Sequence, residues 1–411
     1  INRNQERATF PFTPTLERAG VSRFAHLDGV EGIRPGRRLE LLPYVVARGE
    51  YLQPDGPSPA SFTNPYRSGS DVTGNGGLDL KYRITSNVTL DATVNPDFGQ
   101  VELDPSVINL TAFETRFSER RPFFIEGADI FTLGEGGPRG TGGSGPQLVY
   151  SRRIGRAPRG SAPSEAIFSE IPTATTIAGA AKVTGRVGEG WSFGLLEAVT
   201  AREMAEYVDA DQAVHEVNVE PASNYLVGRA RRQIGGGQTR FGAIASAVNR
   251  DPAGTPLADR LHSSAYSGGV DFAHETDSRT WMFSGLLSGS VVSGSPGVIT
   301  RTQRASTRYY QRPDADHVDV DSAATSLAGL YAMGYAAKRA GNFTMRAGVA
   351  SVSPGYEVND LGFHRKADRV LLDTQFRYTQ RDTSSVLRSW YVNLGGPDAS
   401  WNHAGDLVFA N

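Results

Sequence analysis

Hydrophobic and polar residues alternate with a period of two along much of the chain. Leu78, Leu80, Tyr82 and Ile84 share one face of the first clear run, with Asp79, Lys81 and Arg83 on the other. After the short polar stretch Thr85-Ser86-Asn87, Val88, Leu90, Ala92 and Val94 continue the pattern against Thr89, Asp91 and Thr93. Successive side chains of an extended strand point to opposite faces, so this predicts two strands joined by a tight turn, a hairpin over residues 78–95. Ala181, Val183, Gly185 and Val187 alternate in the same way with Lys182, Thr184 and Arg186, and Trp191, Phe193 and Leu195 follow a Gly188–Gly190 turn. Phe241/Ala243/Ala245/Ala247, Trp281/Phe283/Gly285/Leu287 and Phe343/Met345/Ala347/Val349 repeat it further on. From Thr175 onward the pattern predicts roughly a dozen strands of about 9–14 residues.

Their connections alternate between tight and long. Tight turns are expected near Gly188–Gly190, Gly235–Gln238, Thr276–Ser278 and Arg339–Gly341, and long links over 201–222, 250–262, 294–321 and 353–367. Short turns at one end and long loops at the other are the habit of outer-membrane barrels. One face carries Ala, Val, Leu, Phe and Trp, suited to lipid, and the other Arg, Lys, Thr, Ser and Gly, suited to a wet lumen. Tyr225, Tyr266, Trp281, Tyr309, Tyr310, Trp390, Tyr391 and Trp401 fall where interfacial aromatic girdles are expected. The fold expected is all-β, an antiparallel transmembrane barrel of roughly 14–16 strands. Leu110–Ser118 is the best short helix candidate, with Leu110, Phe113 and Phe117 at helical spacing.

Composition agrees with this picture. The 411 residues suffice for one large barrel, and no apolar run reaches transmembrane-helix length. Mean hydropathy of −0.34 does not oppose a barrel, because only the outward half of each strand must be apolar. A net charge of −2 provides no basic footprint for a nucleic-acid partner. Cysteine is absent, which removes disulfides and thiolate chemistry. Lysine occurs only at Lys81, Lys182, Lys338 and Lys366, and the rest of the 42 basic residues are arginine, a bias that a GC-rich genome explains first and fixed multi-pronged contacts in a polar cavity second. The opening INRNQERATF shows no export signal.

One stretch breaks the alternation. Asn95–Phe131 holds Asp97, Glu102, Asp104, Glu114, Glu119, Glu126 and Asp129 together with Arg116, Arg120 and Arg121, among six phenylalanines. Pro96 withdraws a donor from any ladder at its start. Irregular polar backbone at membrane depth is tolerated only inside the protein or along a wet cavity. Residues 95–156 are therefore expected to form a lumen plug or collar. Its ligand or plug candidates are Asp97, Glu102, Asp104, Glu114, Arg116, Arg120, Arg121, Glu126, Arg152 and Arg153. A carboxylate pair from Asp97, Glu102, Asp104 and Glu114 also suits glycosidic acid–base work if held across a sugar. No other catalytic pattern stands out. The seven histidines are scattered without HExxH, no GxSxG occurs, and Gly134–Gly145 lacks a phosphate-loop ending, so no metal or cofactor is expected. Asp314–Asp321 spaces its carboxylates somewhat as a calcium loop does but lacks the central Gly and terminal Glu, and reads as a solvated loop.

Three blocks carry a resemblance: residues 76–131, Leu148–Arg156 (LVYSRRIGR) and Ser353–Asp368 (SPGYEVNDLGFHRKAD). They resemble an uncharacterised bacterial outer-membrane family in which a barrel-like domain usually follows a carbohydrate-binding module similar to xylanase family-9 modules. The resemblance covers most of the chain from about Leu39 onward. It implies an outer-membrane location and a link to carbohydrate, and supplies no reaction. The sugar-binding module is missing from these residues, and the ending GDLVFAN has no aromatic-terminated closing strand, so a truncated piece is expected. Residues 1–38 read as an N-terminal linker and 39–411 as the barrel domain. The expected function is a surface receptor or channel for carbohydrate-related or other polar solutes, with outer-membrane lipid and an oligo- or polysaccharide as partners. The alternatives are a surface-bound carbohydrate-active hydrolase and a barrel that merely anchors the absent module.

Overall fold

The computed structural model describes residues 38–51, 64–66, 70–96, 109–137, 145–313, 315–380 and 389–410. Along the chain these form β1 (Leu39–Glu50), β2 (Asp71–Thr85), β3 (Val88–Val94), β4 (Phe168–Glu170), β5 (Ile177–Val187), β6 (Trp191–Thr200), β7 (Glu203–Val208) and β8 (Val214–Glu220). Then come β9 (Ser223–Ile234), β10 (Thr239–Arg250), β11 (Ser264–Glu275), β12 (Trp281–Ser293), β13 (Ser326–Lys338), β14 (Phe343–Val352), β15 (Arg369–Gln380), β16 (Trp390–Trp401) and β17 (Leu407–Ala410). Two short helices interrupt them, α1 (Pro122–Ile125) and α2 (Pro296–Arg304).

Fourteen strands form one sheet in the order β1-β2-β3-β5-β6-β9-β10-β11-β12-β13-β14-β15-β16-β17, while β4, β7 and β8 make a separate small sheet. Every pairing is antiparallel, so the large sheet is an up-and-down meander of barrel type. Among the described residues β1 and β17 are not paired with each other. The hairpin expected over 78–95 is present, with Leu78 opposite Val94. The tight turns lie together at one end. At the β9–β10 turn Gly235, Gly236 and Gly237 all have positive φ, a run of left-handed backbone that side chains oppose. The strand ends that the long connections 95–176, 201–222, 251–263, 294–325 and 353–368 join lie at the other end.

The two faces of the sheet differ in the direction the alternation implied. Leu195, Val199, Leu226, Phe241, Val270, Phe272, Phe283, Leu287, Val291, Leu330 and Val349 are all exposed on the outer face. Lys182, Arg229, Arg250, Asp91 and Asp373 are buried on the inner one. Near the tight turns the outer face carries stacked or tilted ring pairs: Phe241 with Phe272, Trp281 with Phe283, Phe343 with Phe376 and Tyr378 with Trp390. That is a girdle at one rim. It excludes several residues expected in it, because Tyr225 and Tyr310 are buried, Tyr309 lies on the connection after α2, and Tyr391 faces inward opposite Thr379.

The inner face is not uniformly wet. Toward the long connections it is apolar: Ile177, Leu196, Ala198, Tyr225, Val227, Val248, Ala265 and Val292 pack with Leu148, Ile154, Val298, Ile299 and Leu361 from those connections. The irregular segment supplies Phe124 and Phe131 to the same cluster. Phe131 and Ile130 sit where β6 has glycine, and a Cβ on Gly194 would lie 2.8 Å from Phe131 and 2.9 Å from Ile130.

Three local features differ from expectation. Leu110–Ser118 is not helical, because the Asn109 carboxamide accepts from the Thr111 amide and donates to the Phe113 carbonyl, closing a local turn in place of a helix. The helix that does form, α1, begins with Pro122 in its first turn. Within the expected 294–321 link, Ser295 caps α2, its hydroxyl accepting from the Val298 amide at 3.1 Å with Pro296 following. Replacing Gly194 with valine is expected to expel the Ile130–Phe131 turn from the inner wall. Proteolysis within 119–137 should speed up at least several-fold while the strand signal in circular dichroism persists; unchanged protection would show that the turn does not depend on this glycine.

Candidate functional site

The segment 109–156 and the 353–368 connection meet on the inner face, and each is held there by charge. Deep in the sheet, toward the tight turns, Lys182 on β5 donates to the carbonyls of Phe123 and Glu126 at 2.6 and 2.5 Å and lies 3.8 Å from Asp91 on β3. Glu126 pairs with Lys81 on β2. On the opposite side, Arg240 of β10 grips Glu135 with two parallel hydrogen bonds of 2.8 and 2.7 Å. The Gly134 amide donates to Asp271 of β11 at 3.1 Å, and Asp271 also pairs with Arg229 of β9 at 2.7 Å. Ser284 of β12 donates to the Glu135 carbonyl. The segment thus crosses the inner face from β2 to β12 on ionic and carbonyl contacts. It returns toward the long connections at Gln147, which exchanges backbone hydrogen bonds with Phe363.

Near the long connections lies a second knot. Glu119 takes two hydrogen bonds from Arg121, each 2.8 Å, and one of 2.5 Å from Ser151. Burial pushes the Glu119 carboxyl up, and the guanidinium and hydroxyl outweigh it, holding the group at about 2. Arg121 also donates to the carbonyls of Ile154 and Ser151 and lies over the Phe124 ring at 4.2 Å. Arg153 makes a fork to Glu114, both bonds 2.7 Å, and donates to the Gly362 carbonyl at 3.0 Å, which fastens the segment to the 353–368 connection.

That connection carries the most buried charges of the site. Asp360 pairs with Arg250 at 2.5 Å and with His262 Nδ1 at 2.7 Å, and His262 Nε2 meets the Thr302 hydroxyl at 2.8 Å. Arg308 lies 2.7 Å from Glu357 and also donates to the Tyr356 carbonyl. The Tyr356 hydroxyl meets Ser288 at 2.7 Å, and the Glu357 amide donates to Ser290 at 2.9 Å, both on β12. Burial raises both carboxyls, but His262 and Arg250 hold Asp360 well below the usual range, and Arg308 and His364 hold Glu357 at about 2. Burial pulls His364 down to about 4, so it is neutral beside an ionised Glu357 at neutral pH. A carboxylate this deeply buried is tolerated only while its partners remain, so losing one is costly.

Of the residues singled out in the sequence, Glu114, Glu119, Arg121, Arg152 and Arg153 come together. Arg152 donates to the Ser118 carbonyl at 3.1 Å. Arg116 lies over Tyr150 at 5.8 Å, Arg120 follows Glu119 with its amide on that carboxylate, and Glu126 is apart, paired with Lys81 of β2. Asp97, Glu102, Asp104 and residues 1–37 lie outside the described residues. Among the described residues no three His, Asp or Glu side chains are placed to hold a metal ion. Arg250, His262, Arg308, Glu357 and Asp360 were not singled out. Only the Glu357–His364 density of charge in the third block pointed toward them, since their partners sit about 50–110 residues away in sequence, as loop-borne pairs do.

A family model described as a domain of unknown function, DUF5916, matches residues 35–404. No curated protein matches the chain. Among solved structures, the Pseudomonas aeruginosa OpdK structure with vanillate is 10% identical at TM-score 0.32, covering 90% of this chain and 77% of that one. A porin structure is 11% identical at TM-score 0.29, covering 88% of this chain and 92% of that one.

Acid should loosen the 353–368 connection. Between pH 6.5 and about 4 an unfolded histidine takes up a proton that folded His364 refuses. Between 4.5 and about 2 the same holds for Glu119 and Glu357. The unfolded chain binds more protons in both windows, so stability is full above them and is lost as pH falls. His364→Gln should remove about 3 kcal/mol of the loss above pH 4, read from denaturation midpoints. An unaltered pH profile would contradict a neutral buried His364.

Proposed function

We propose, since this chain belongs to the DUF5916 family and that description assigns no activity, that it is an outer-membrane channel for small polar solutes, restricted by an internal plug. The single observation that carries this reading is the inversion of polarity: exposed Leu, Val and Phe outside, paired charges inside. In water such a surface is unfavourable, at roughly 25 cal/mol for each Å² of apolar area left wet. In lipid it is the required arrangement, because the antiparallel ladder satisfies the backbone between neighbouring strands and the inner face keeps the charges. Long connections at one end and tight turns at the other suit the outer leaflet and the periplasm respectively.

Residues 109–156 act as the plug in this reading. The contacts of their described residues run from β2 to β13, where Gly136 and Gly145 lie against Tyr335 and Tyr331, while the inner faces of β14, β15 and β16 carry Arg346, Gln375, Arg377, Tyr391 and Asn393, polar groups that suit a wet lane. Selection then follows pore width and wall charge. The resemblance to barrels that accompany carbohydrate-binding modules makes sugars and their derivatives the first solutes to try. Glu114, a member of the carboxylate set considered for hydrolysis, is engaged by Arg153 at 2.7 Å, which favours the channel over the hydrolase.

Two outcomes are expected. Leu287→Arg on the outer face should destabilise the protein folded in vesicles by about 2–4 kcal/mol, a cost that vanishes if this face is in water. In planar bilayers the protein should conduct, and Glu126→Ala combined with Glu135→Ala, which removes two wall tethers, should raise conductance several-fold. A silent protein would sink the channel, and conductance indifferent to the tethers would sink the plug.

A further inference from the structure

On the inner face of β15 stands a cation that no carboxylate meets among the described residues. On the inner face Arg377 of β15 stands opposite Asn393 of β16. Arg377 Nε donates to the Asn393 carboxamide oxygen at 2.6 Å, and its guanidinium carbon lies 5.1 Å from the centre of the Tyr391 ring. All three side chains are open, Tyr391 being 64% exposed. Three other arginines of this wall are met by carboxylates, Arg229 by Asp271, Arg240 by Glu135 and Glu275, and Arg346 by Asp373. Among the described residues no carboxylate pairs with Arg377. Asp373, four residues back along β15 and about 13 Å away, is already held by Arg346.

We propose that Arg377, Tyr391 and Asn393 form a docking station for a small carboxylate that carries a ring, such as a sugar acid; this deepens the channel reading and rests on it. Binding Nε to Asn393 fixes the guanidinium plane and leaves the two terminal nitrogens, whose parallel N–H groups fit the two oxygens of a carboxylate. The Asn393 NH₂ keeps its two donors, because its oxygen is the group that accepts from Arg377. Tyr391 presents a ring face for the apolar side of a pyranose or another flat ring. One guanidinium with one neutral amide matches a single negative charge, whereas a phosphate dianion calls for more than one cation. An unpaired positive charge on a channel wall also raises the local concentration of anions.

The test uses the full chain in planar bilayers with glucuronate, glucose, acetate and inorganic phosphate as probes. Glucuronate is expected to block the ion current saturably, while glucose, the same ring without the charge, does not. Arg377→Ala should weaken that block about tenfold or more, as expected for losing a charged two-bond contact. Arg377→Lys should keep the anion preference of the current but not the block. Tyr391→Leu should weaken glucuronate block and leave the feeble effect of acetate as it was. Equal block in wild type and Arg377→Ala would overturn the station while leaving the channel intact, and phosphate blocking as well as glucuronate would overturn the carboxylate assignment. A protein that does not conduct overturns the channel reading. The station is then judged by saturation-transfer NMR of glucuronate on the detergent-solubilised chain: a signal lost in Arg377→Ala supports it, and equal signals in both proteins overturn it.

Discussion

A sheet that turns its apolar face outward must settle its charges inside. Lys182, Arg229 and Arg250 are buried on the inner face, and a buried cation without a partner is among the costliest defects a fold can carry. The wall answers part of that demand itself, with Asp91 beside Lys182 and Asp271 beside Arg229. The remainder falls to groups that no strand provides. The carbonyls of Phe123 and Glu126, the carboxylate of Glu135 and that of Asp360 come from the connections between strands. The inserted segment and the folded-in connection are therefore the counterions of the wall as well as its filling.

This requirement arranges the interior in levels. Charges lie deep near the tight turns, an apolar belt from Leu196 to Val292 follows, and the Asp360–Glu357 knot closes the side of the long connections. The belt limits water and raises the strength of the contacts on either side. The knot joins the segment to the 353–368 connection through Arg153 and Gly362, so movement of one is felt by the other. On β14 and β15 the end near the long connections is filled too, Ala350, Val352 and Leu371 packing with Tyr356, Val358 and Ala367, while toward the tight turns Arg377 and Tyr391 are exposed. In the proposed channel this tight-turn half of the wall is the lane, and Arg377 gives it its preference for anions.

Much of the wall was legible in the residues. Alternation gave the facing of Phe241, Ala243, Ala245 and Ala247, and the tight turns fell at Gly188, Gly235 and Gly341, because period and turn chemistry are local properties. The expected 14–16 strands compare with fourteen in the large sheet. The β4–β7–β8 sheet was hidden in two long links, β4 in one and β7 with β8 in the other, its strands short and paired among themselves in a separate sheet. The inner apolar belt was missed for a different reason: Tyr225, Val227 and Val248 face the lumen side because Ile154 and Leu361 come to meet them, and such meetings are not local. The same limit applied to the site. Arg121 with Glu119 could be read from adjacency, whereas Glu114 with Arg153 and Arg250 with Asp360 depend on the topology of the whole sheet.

A channel of this kind requires that the outer face meet lipid. Three of the four tryptophans, Trp191, Trp281 and Trp390, begin strands at the tight-turn rim and lie on that face. The most direct measurement is their fluorescence in vesicles containing brominated acyl chains, with acrylamide as the water-borne quencher. Strong quenching by bromine placed near the headgroups, with little by acrylamide, is the result the account predicts. Tryptophans that ignore brominated lipid and are quenched freely from water would contradict it.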